Sequence, residues 1–301
     1  MSSIDKQSLD LTVHHDVYDD IDPNGSLRGS TEGKVLFVTG ASRGIGQQTA
    51  VSFAEAGASA IYATARSKVG LEETRELVAE ANPDTEFAMS STDVTSAAQV
   101  ERAVEDCVAR FGAIDVADAN AGYLGPWVKI AESDPEGWWQ NFEVNVQGAY
   151  HVARYTIPHL AKSASAHEAK SSSGGHLIIV SSVGAQLLVG GASDYQTSKH
   201  AVNRLVEFVQ TDHGDEGLKC FALHPGGVAT EVGKAMPDYM HEYLNDDPSL
   251  AAGFKVWLAS GRADWAKGRY LSANWDVGEL EGLKDEILND DLLVNRLRVR
   301  W

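Results

Sequence analysis

Three residues in the middle of the chain have types and spacing suited to moving a proton: Ser182, Tyr195 and Lys199. Lys199 follows Tyr195 by four positions, so on a helix both project from the same side. A tyrosine with a pKa near 10 is a poor acid or base at neutral pH. A neighbouring ammonium favours its ionised form, and a serine hydroxyl can hold a reacting carbonyl oxygen. The chemistry such a trio supports is hydride addition to a carbonyl carbon, with Tyr195 giving a proton to the oxygen, or the reverse. By spacing alone, Tyr195 and Lys199 also describe an ordinary pair on a helix surface, so the surrounding elements have to decide.

A second group of residues could hold phosphates. Residues 39–46 read TGASRGIG, between a short apolar run and a helix-like stretch. Gly40 permits a tight turn, Gly44 lets the backbone approach a pyrophosphate, and Gly46 lets helix and strand pack closely. Ser42, Arg43 and Ile45 complete the turn. The helix N-terminus offers free N–H groups and a positive dipole end. No Lys-Ser or Lys-Thr pair follows, so this is not the phosphate loop of an ATP- or GTP-binding protein. The turn after the next strand holds no acid for a ribose 2′-hydroxyl. It holds Arg66 and Lys68 instead, and Arg43 could add a third base. That favours NADP(H) over NAD(H), although solvated surface charges would read the same way.

The elements that must position these groups alternate. Strands are expected at 34–39, 58–65, 86–92, 115–119, 175–181, 218–224 and 269–273. Helices are expected to residue 56, over 71–81, over 135–162 with a kink at Pro158, and over 192–213. Val100, Ala103, Val104, Cys107, Val108 and Phe111 form one apolar helix face. A polar loop is expected over 163–175. This alternation means an α/β, doubly wound parallel sheet of Rossmann type, in a single domain spanning 34–275. Ser182 then ends the fifth strand beside the helix that carries Tyr195 and Lys199.

Composition narrows the function. The 301 residues carry a net charge of −18, which disfavours nucleic acid and anionic membranes as partners. Cys107 and Cys220 are too few for a disulfide framework and suit a reducing compartment. The start of the chain lacks the pattern of a signal or transit peptide, so a cytoplasmic protein is expected. No His pair has metal-ligand spacing, so no metal site is expected. Residues 1–33 carry seven acids and two bases and read as a mobile or loosely docked arm. His14 and His15 lie within it.

Taken in order, these pieces resemble the classical short-chain dehydrogenase/reductases. The matching residues are the 39–46 turn, Asp93-Val94, Asn120-Ala121-Gly122, Asn145, Ser182, the YQTSK run from Tyr195 to Lys199, Pro225-Gly226 and Thr230. The match extends over roughly 33–275. The resemblance implies that Tyr195 is the acid–base and that Lys199 binds the nicotinamide ribose and lowers the tyrosine pKa. Ser182 would orient the substrate oxygen. Asn145 would hold a water linking Lys199 to solvent. Asp93 and Val94 would contact adenine, while Asn120 and Gly122 would line the cleft. Val228 and Thr230 would contact the nicotinamide amide and phosphate regions. It also implies a helical lid after the sixth strand, and a homodimer or homotetramer built on the second apolar stripe of the Tyr195 helix, Ala201, Leu205 and Phe208. Two departures stand out. Ala119 replaces a usual asparagine, and Asn274-Trp275-Asp276 replaces an Asp-Gly-Gly-like finish.

Three apolar or aromatic segments flank the expected cleft: 123–127, 186–189 and 232–257. They suggest a bulky, hydrophobic carbonyl or alcohol substrate; packing of a lid or a subunit contact would draw on the same residues. The last segment holds Met236, Tyr239, Met240, Tyr243, Phe254 and Trp257. The C-terminal extension, 276–301, reads as a short amphipathic helix followed by an alternating extended stretch, expected to cover the active-site side or a neighbouring subunit. A lyase, cyclase or epimerase on the same fold, or a cofactor-binding sensor without turnover, remain alternatives.

Overall fold

The computed structural model describes residues 8–169 and 172–297. In chain order the main elements are β1 (Val35–Thr39), α1 (Gly44–Glu55), β2 (Ala60–Ala65), α2 (Lys68–Ala81), β3 (Glu86–Ser91), α3 (Ala97–Phe111), β4 (Val116–Ala119), α4 (Pro135–Phe142) and α5 (Gly148–Glu168). There follow β5 (His176–Val180), α6 (Ser193–His213), β6 (Lys219–His224), α7 (Glu231–Lys234), α8 (Pro248–Ala259), β7 (Tyr270–Ser272), α9 (Val277–Gly282) and α10 (Lys284–Asn289). All seven strands run parallel in the order β3-β2-β1-β4-β5-β6-β7. Every residue of β1, β2, β4 and β5 is buried, as strands covered on both faces must be. One helical layer joins α1 to α2 and α8, and the other joins α3, α5 and α6. The strand order reverses between β1 and β4, which opens a crevice at their carboxyl ends.

Several expectations need correction. The helix expected over 135–162 is two helices joined by a π-turn, Glu143–Gln147, and Asn145 sits in that turn. Pro158, where a kink is expected, lies inside α5. The expected loop from 163 is helical to Glu168, because tertiary contacts hold it. The Ser163 hydroxyl and His167 Nε2 both bond the buried Asp115 carboxylate.

The segment expected as lid divides in two. Only α7 and a 3-10 turn, Asp238–Tyr243, lie over the cleft. Asp247 caps α8 and Pro248 opens it, and every residue from Leu250 to Ala259 is buried. Phe254 and Trp257 are therefore core, since a helix apolar all round belongs inside.

The arm, read from the sequence as mobile or loosely docked, is packed into the core over its described residues. Ile21 and Leu27 are part of the core. Ile21 crosses α8 so closely that a Cβ on Gly253 would stand 2.5 Å from the Ile21 carbonyl oxygen. Asp10, Asp16, Asp19, Asp20 and Glu32 face water while Ile21 and Leu27 bury, so the charge of the arm did not prevent docking.

The described part of the tail packs on its own chain. Tyr270 N–H donates to the Leu293 carbonyl at 2.9 Å, and Arg204 of α6 donates to the Asn295 carbonyl at 2.9 Å. Most of the alternating stretch expected at the end, 298–301, lies outside the described residues.

Candidate active site

The crevice holds one cavity of about 660 Å³ along the carboxyl ends of the strands. Its floor at one end is the glycine turn. Gly40 and Gly44 have φ of +68° and +57°, which only glycine adopts freely. A Cβ on Gly46 would stand 2.5 Å from Asn120 Nδ2, so that glycine is set by close packing and does not line the cavity. Arg43 precedes α1 without a capping side-chain bond, so the first amides of the helix are open to the cavity. Asn120 anchors the turn by donating to the Thr39 carbonyl at 3.0 Å.

Of the three bases expected near the second strand, Arg43 and Arg66 line the cavity with Ser42, Ile45 and Ser67. Lys68 is exposed and does not line it. Arg43 is paired with Glu231 of α7 across the mouth, both side chains being largely exposed. A glycine cradle, open helix amides and two arginines fit a phosphorylated dinucleotide. Asp93, Val94, Asn120, Gly122, Pro225, Gly226, Val228 and Thr230 line the same cavity. Gly226 needs its φ of +89° to turn the chain after β6. Thr230 caps α7, and its methyl would stand 3.0 Å from a Cβ on Gly44, so the lid begins directly over the glycine turn.

Ser182, Tyr195 and Lys199 also line the cavity. Ser182 follows β5 and caps a 3-10 turn. Tyr195 and Lys199 lie one turn apart on α6, and Lys199 Nζ is 5.8 Å from the Tyr195 ring centre. Lys199 donates to the Val180 carbonyl at 2.8 Å, which fixes it under the site. Burial pushes the Lys199 amine down to about 8. Burial raises the Tyr195 phenol, and a hydrogen bond with Ser182 works the other way. This differs from the depressed tyrosine expected from the sequence. In the cofactor-free site desolvation outweighs the Ser182 hydrogen bond and holds the phenol above its ordinary value.

Asn145 is buried beneath the pair. Its Nδ2 donates to the Tyr123 carbonyl at 2.9 Å and to Ser198 Oγ at 3.0 Å, while its Oδ1 accepts from Tyr123 N–H at 2.9 Å. The amide thus splices the loop after β4 to α6. Only the second lone pair of Oδ1 is left for a water toward Lys199. Gly122 separates the two groups, and a Cβ there would stand 3.6 Å from Oδ1 and 3.8 Å from Lys199 Nζ.

The apolar wall is narrower than the sequence suggested. Tyr123, Leu124, Leu187, Met236, Met240 and Tyr243 face the cavity. Leu188 and Tyr239 point to solvent, and Trp127 ties two loops together by donating to the Gly190 carbonyl at 2.7 Å. His224 is a cavity wall; burial pushes it down to about 4, so it is neutral there.

Sequence reasoning missed two groups. The first is in the arm, where Ser8, Val13 and His15 line the cavity. The alternation of Leu9, Leu11 and Val13 was a signal of an extended, docked segment. The second is Lys255, fully buried in α8 and 2.7 Å from the equally buried Asp118. A single lysine within AAGFKVWLA implied a buried carboxylate. Lys255 also donates to Asn120 Oδ1 at 3.2 Å, so it supports the strand end where Ala119 departs from the usual pattern.

Comparison with known proteins agrees with this geometry. A family model described as short chain dehydrogenase matches residues 34–240. The short chain dehydrogenase citE of Monascus ruber is 40% identical over 294 residues, covering 95% of this chain and 94% of its own. The short chain dehydrogenase pigC of Monascus ruber is 38% identical over 290 residues, covering 94% and 91%. Among solved structures, a 7α-hydroxysteroid dehydrogenase complexed with NADH and 7-oxo glycochenodeoxycholic acid has the same fold, with a TM-score of 0.73 at 20% identity over 86% of this chain and 97% of its own. No helix among the described residues is long and apolar enough to cross a membrane.

Proposed function

The chain belongs to the short-chain dehydrogenases, oxidoreductases that use a nicotinamide cofactor on small molecules, and we propose that it interconverts a carbonyl and a secondary alcohol on a bulky, apolar compound with NADP(H). The observation that carries this reading is the meeting of Ser182, Tyr195 and Lys199 in one cavity with the glycine turn and an apolar wall. Gly40, Gly44 and the first amides of α1 would hold the pyrophosphate. Arg43, Arg66 and the hydroxyls of Ser42 and Ser67 would hold a 2′-phosphate. Asp93 and Val94 would flank adenine, and Val228 and Thr230 the nicotinamide end. The cofactor supplies the hydride.

The protein's own residues manage the oxygen and the proton. Ser182 Oγ donates to the carbonyl oxygen and orients it. Tyr195, kept protonated by burial, delivers its proton to that oxygen as negative charge develops there. Lys199 lies close enough to stabilise the resulting phenolate. Asn145 keeps the loop above them in place, and a water on its free lone pair would return the proton from solvent. Phe208 of α6 is 58% exposed in a single chain, beside the partly buried Leu205. That supports a homodimer or homotetramer.

The test is to follow NADPH absorbance with aryl and alicyclic ketones for wild type and Tyr195→Phe. Removing one general acid should lower kcat by about 10²–10⁴-fold and leave NADPH binding within about twofold. Equal rates in both proteins would overturn Tyr195 as the acid, and no NADPH oxidation by wild type with any of these ketones would overturn the reading.

A further inference from the structure

We propose that the N-terminal arm forms the outer wall of the substrate site, with Val13 setting how large an apolar ketone is accepted. The inference rests on the reductase reading above and adds residues outside the span that the family model matches. The adenine end of the cleft lies over β2 and β3. The arm joins at the opposite extreme, after β7, where Val13 pairs antiparallel with Trp275. A path of side chains connects it to the reacting centre. Tyr270 and Tyr195 line the same cavity. The Tyr270 and Trp275 rings meet edge-on at 6.2 Å. Trp275 carries Val13, which is 52% exposed and faces the cavity.

This wall is built, and the residues that build it are those that depart from the family pattern. Asn274 accepts His14 N–H on its carbonyl at 2.8 Å and donates its amide to the His14 carbonyl at 3.0 Å. Trp275 Nε1 donates to Ser8 Oγ at 2.8 Å. Asp276 N–H donates to the Thr12 carbonyl at 3.0 Å, and its carboxylate bonds His14 Nε2 at 2.9 Å. Glu279 accepts both the N–H and the hydroxyl of Thr12 at 2.7 Å. His15 bonds Asp246, whose carboxylate also accepts Gly227 N–H and the Asn274 amide, so arm, lid base and sheet end share one acceptor. An apolar side chain on so fixed a backbone gives the site a firm boundary. With Met236 and Met240 on the lid, it suits a flat aromatic ketone.

The experiment compares wild type, Val13→Trp and Tyr195→Phe, using 2-acetonaphthone and cyclohexanone as probes. Ketone affinity for the NADPH-loaded protein is measured by calorimetry, and turnover by NADPH absorbance. Val13→Trp should weaken 2-acetonaphthone binding and lower its kcat/KM relative to cyclohexanone at least about tenfold, with the Kd for NADPH unchanged. An unchanged ratio, while Tyr195→Phe is inactive, overturns the wall and leaves the reductase reading intact. Selective loss of naphthyl ketone affinity in Val13→Trp, while wild type oxidises no NADPH with either ketone, keeps the wall and overturns the reductase reading. Failure of wild type to bind 2-acetonaphthone overturns the wall.

Discussion

Replacing Lys255 by methionine isolates the buried charge beneath the glycine turn. Methionine fills nearly the same space, so packing is retained while three donors are lost. Lys255 Nζ gives these to Asp118 Oδ2 at 2.7 Å, Thr49 Oγ1 at 3.2 Å and Asn120 Oδ1 at 3.2 Å. Asp118 is then left fully buried, and its Oδ1 already lacks a hydrogen-bond partner. Breaking a buried pair on one side costs about 3–5 kcal/mol. At about 2–3 °C per kcal/mol for a chain of this size, Tm should fall by about 6–15 °C at pH 8. The sign with pH follows from Asp118. Burial raises its carboxyl, and the Lys255 charge opposes that rise. Without Lys255 the carboxyl rises further above its unfolded value. Its charge therefore destabilises the fold most at high pH, and the loss shrinks as pH falls toward 5 and the carboxyl takes a proton. Adding Asp118→Asn should recover most of the loss. Urea unfolding of all three proteins between pH 5 and 8 measures this. A Lys255→Met protein within about 1 kcal/mol of wild type at pH 8, or a deficit that grows with acid, would refute the reasoning.

Two further outcomes follow from the site. Burial holds Lys199 near 8 in the folded chain against 10.5 in the open. The unfolded chain therefore binds more protons between those values, and stability rises with pH across that window. Lys199→Met should accordingly stabilise the cofactor-free protein at pH 7 by up to about 3 kcal/mol, with the gain vanishing toward pH 10.5, while ketone reduction is lost; calorimetric scans at pH 7 and 10 check it. Arg66→Glu should weaken NADPH about 10–100-fold, the loss of one charge-assisted bond, and spare NADH; fluorescence titration with both cofactors distinguishes the two.

Much of the frame was legible in the sequence because the central strands are buried on both faces and read as unbroken apolar runs. The turn glycines and the Tyr195–Lys199 spacing were legible for a similar reason, since local geometry alone dictates them. What was missed depends on partners distant in sequence. Helix α8 is apolar on all sides, and only the packed molecule distinguishes a core helix from an apolar lid. Lys255 finds Asp118 137 positions away. The arm reads as a charged tail because its acids are visible in the sequence, while Ile21 and Leu27 earn their burial against elements made much later. The π-turn at Asn145 has no sequence marker; its shape is set by the bonds from Asn145 to Tyr123 and Ser198.

The docking of the arm on residues 274–279 also orders events in time. Thr12 meets Glu279 across 267 positions, among the longest separations that this chain allows. Closing so long a loop is slow, and on a ribosome it must wait until the last strand has emerged. A segment made before β1 is thus among the last to find its place, and the mouth of the site takes shape only once β7 and α9 exist. Until then the glycine turn and the Tyr195–Lys199 pair lie in a cleft that lacks this outer boundary.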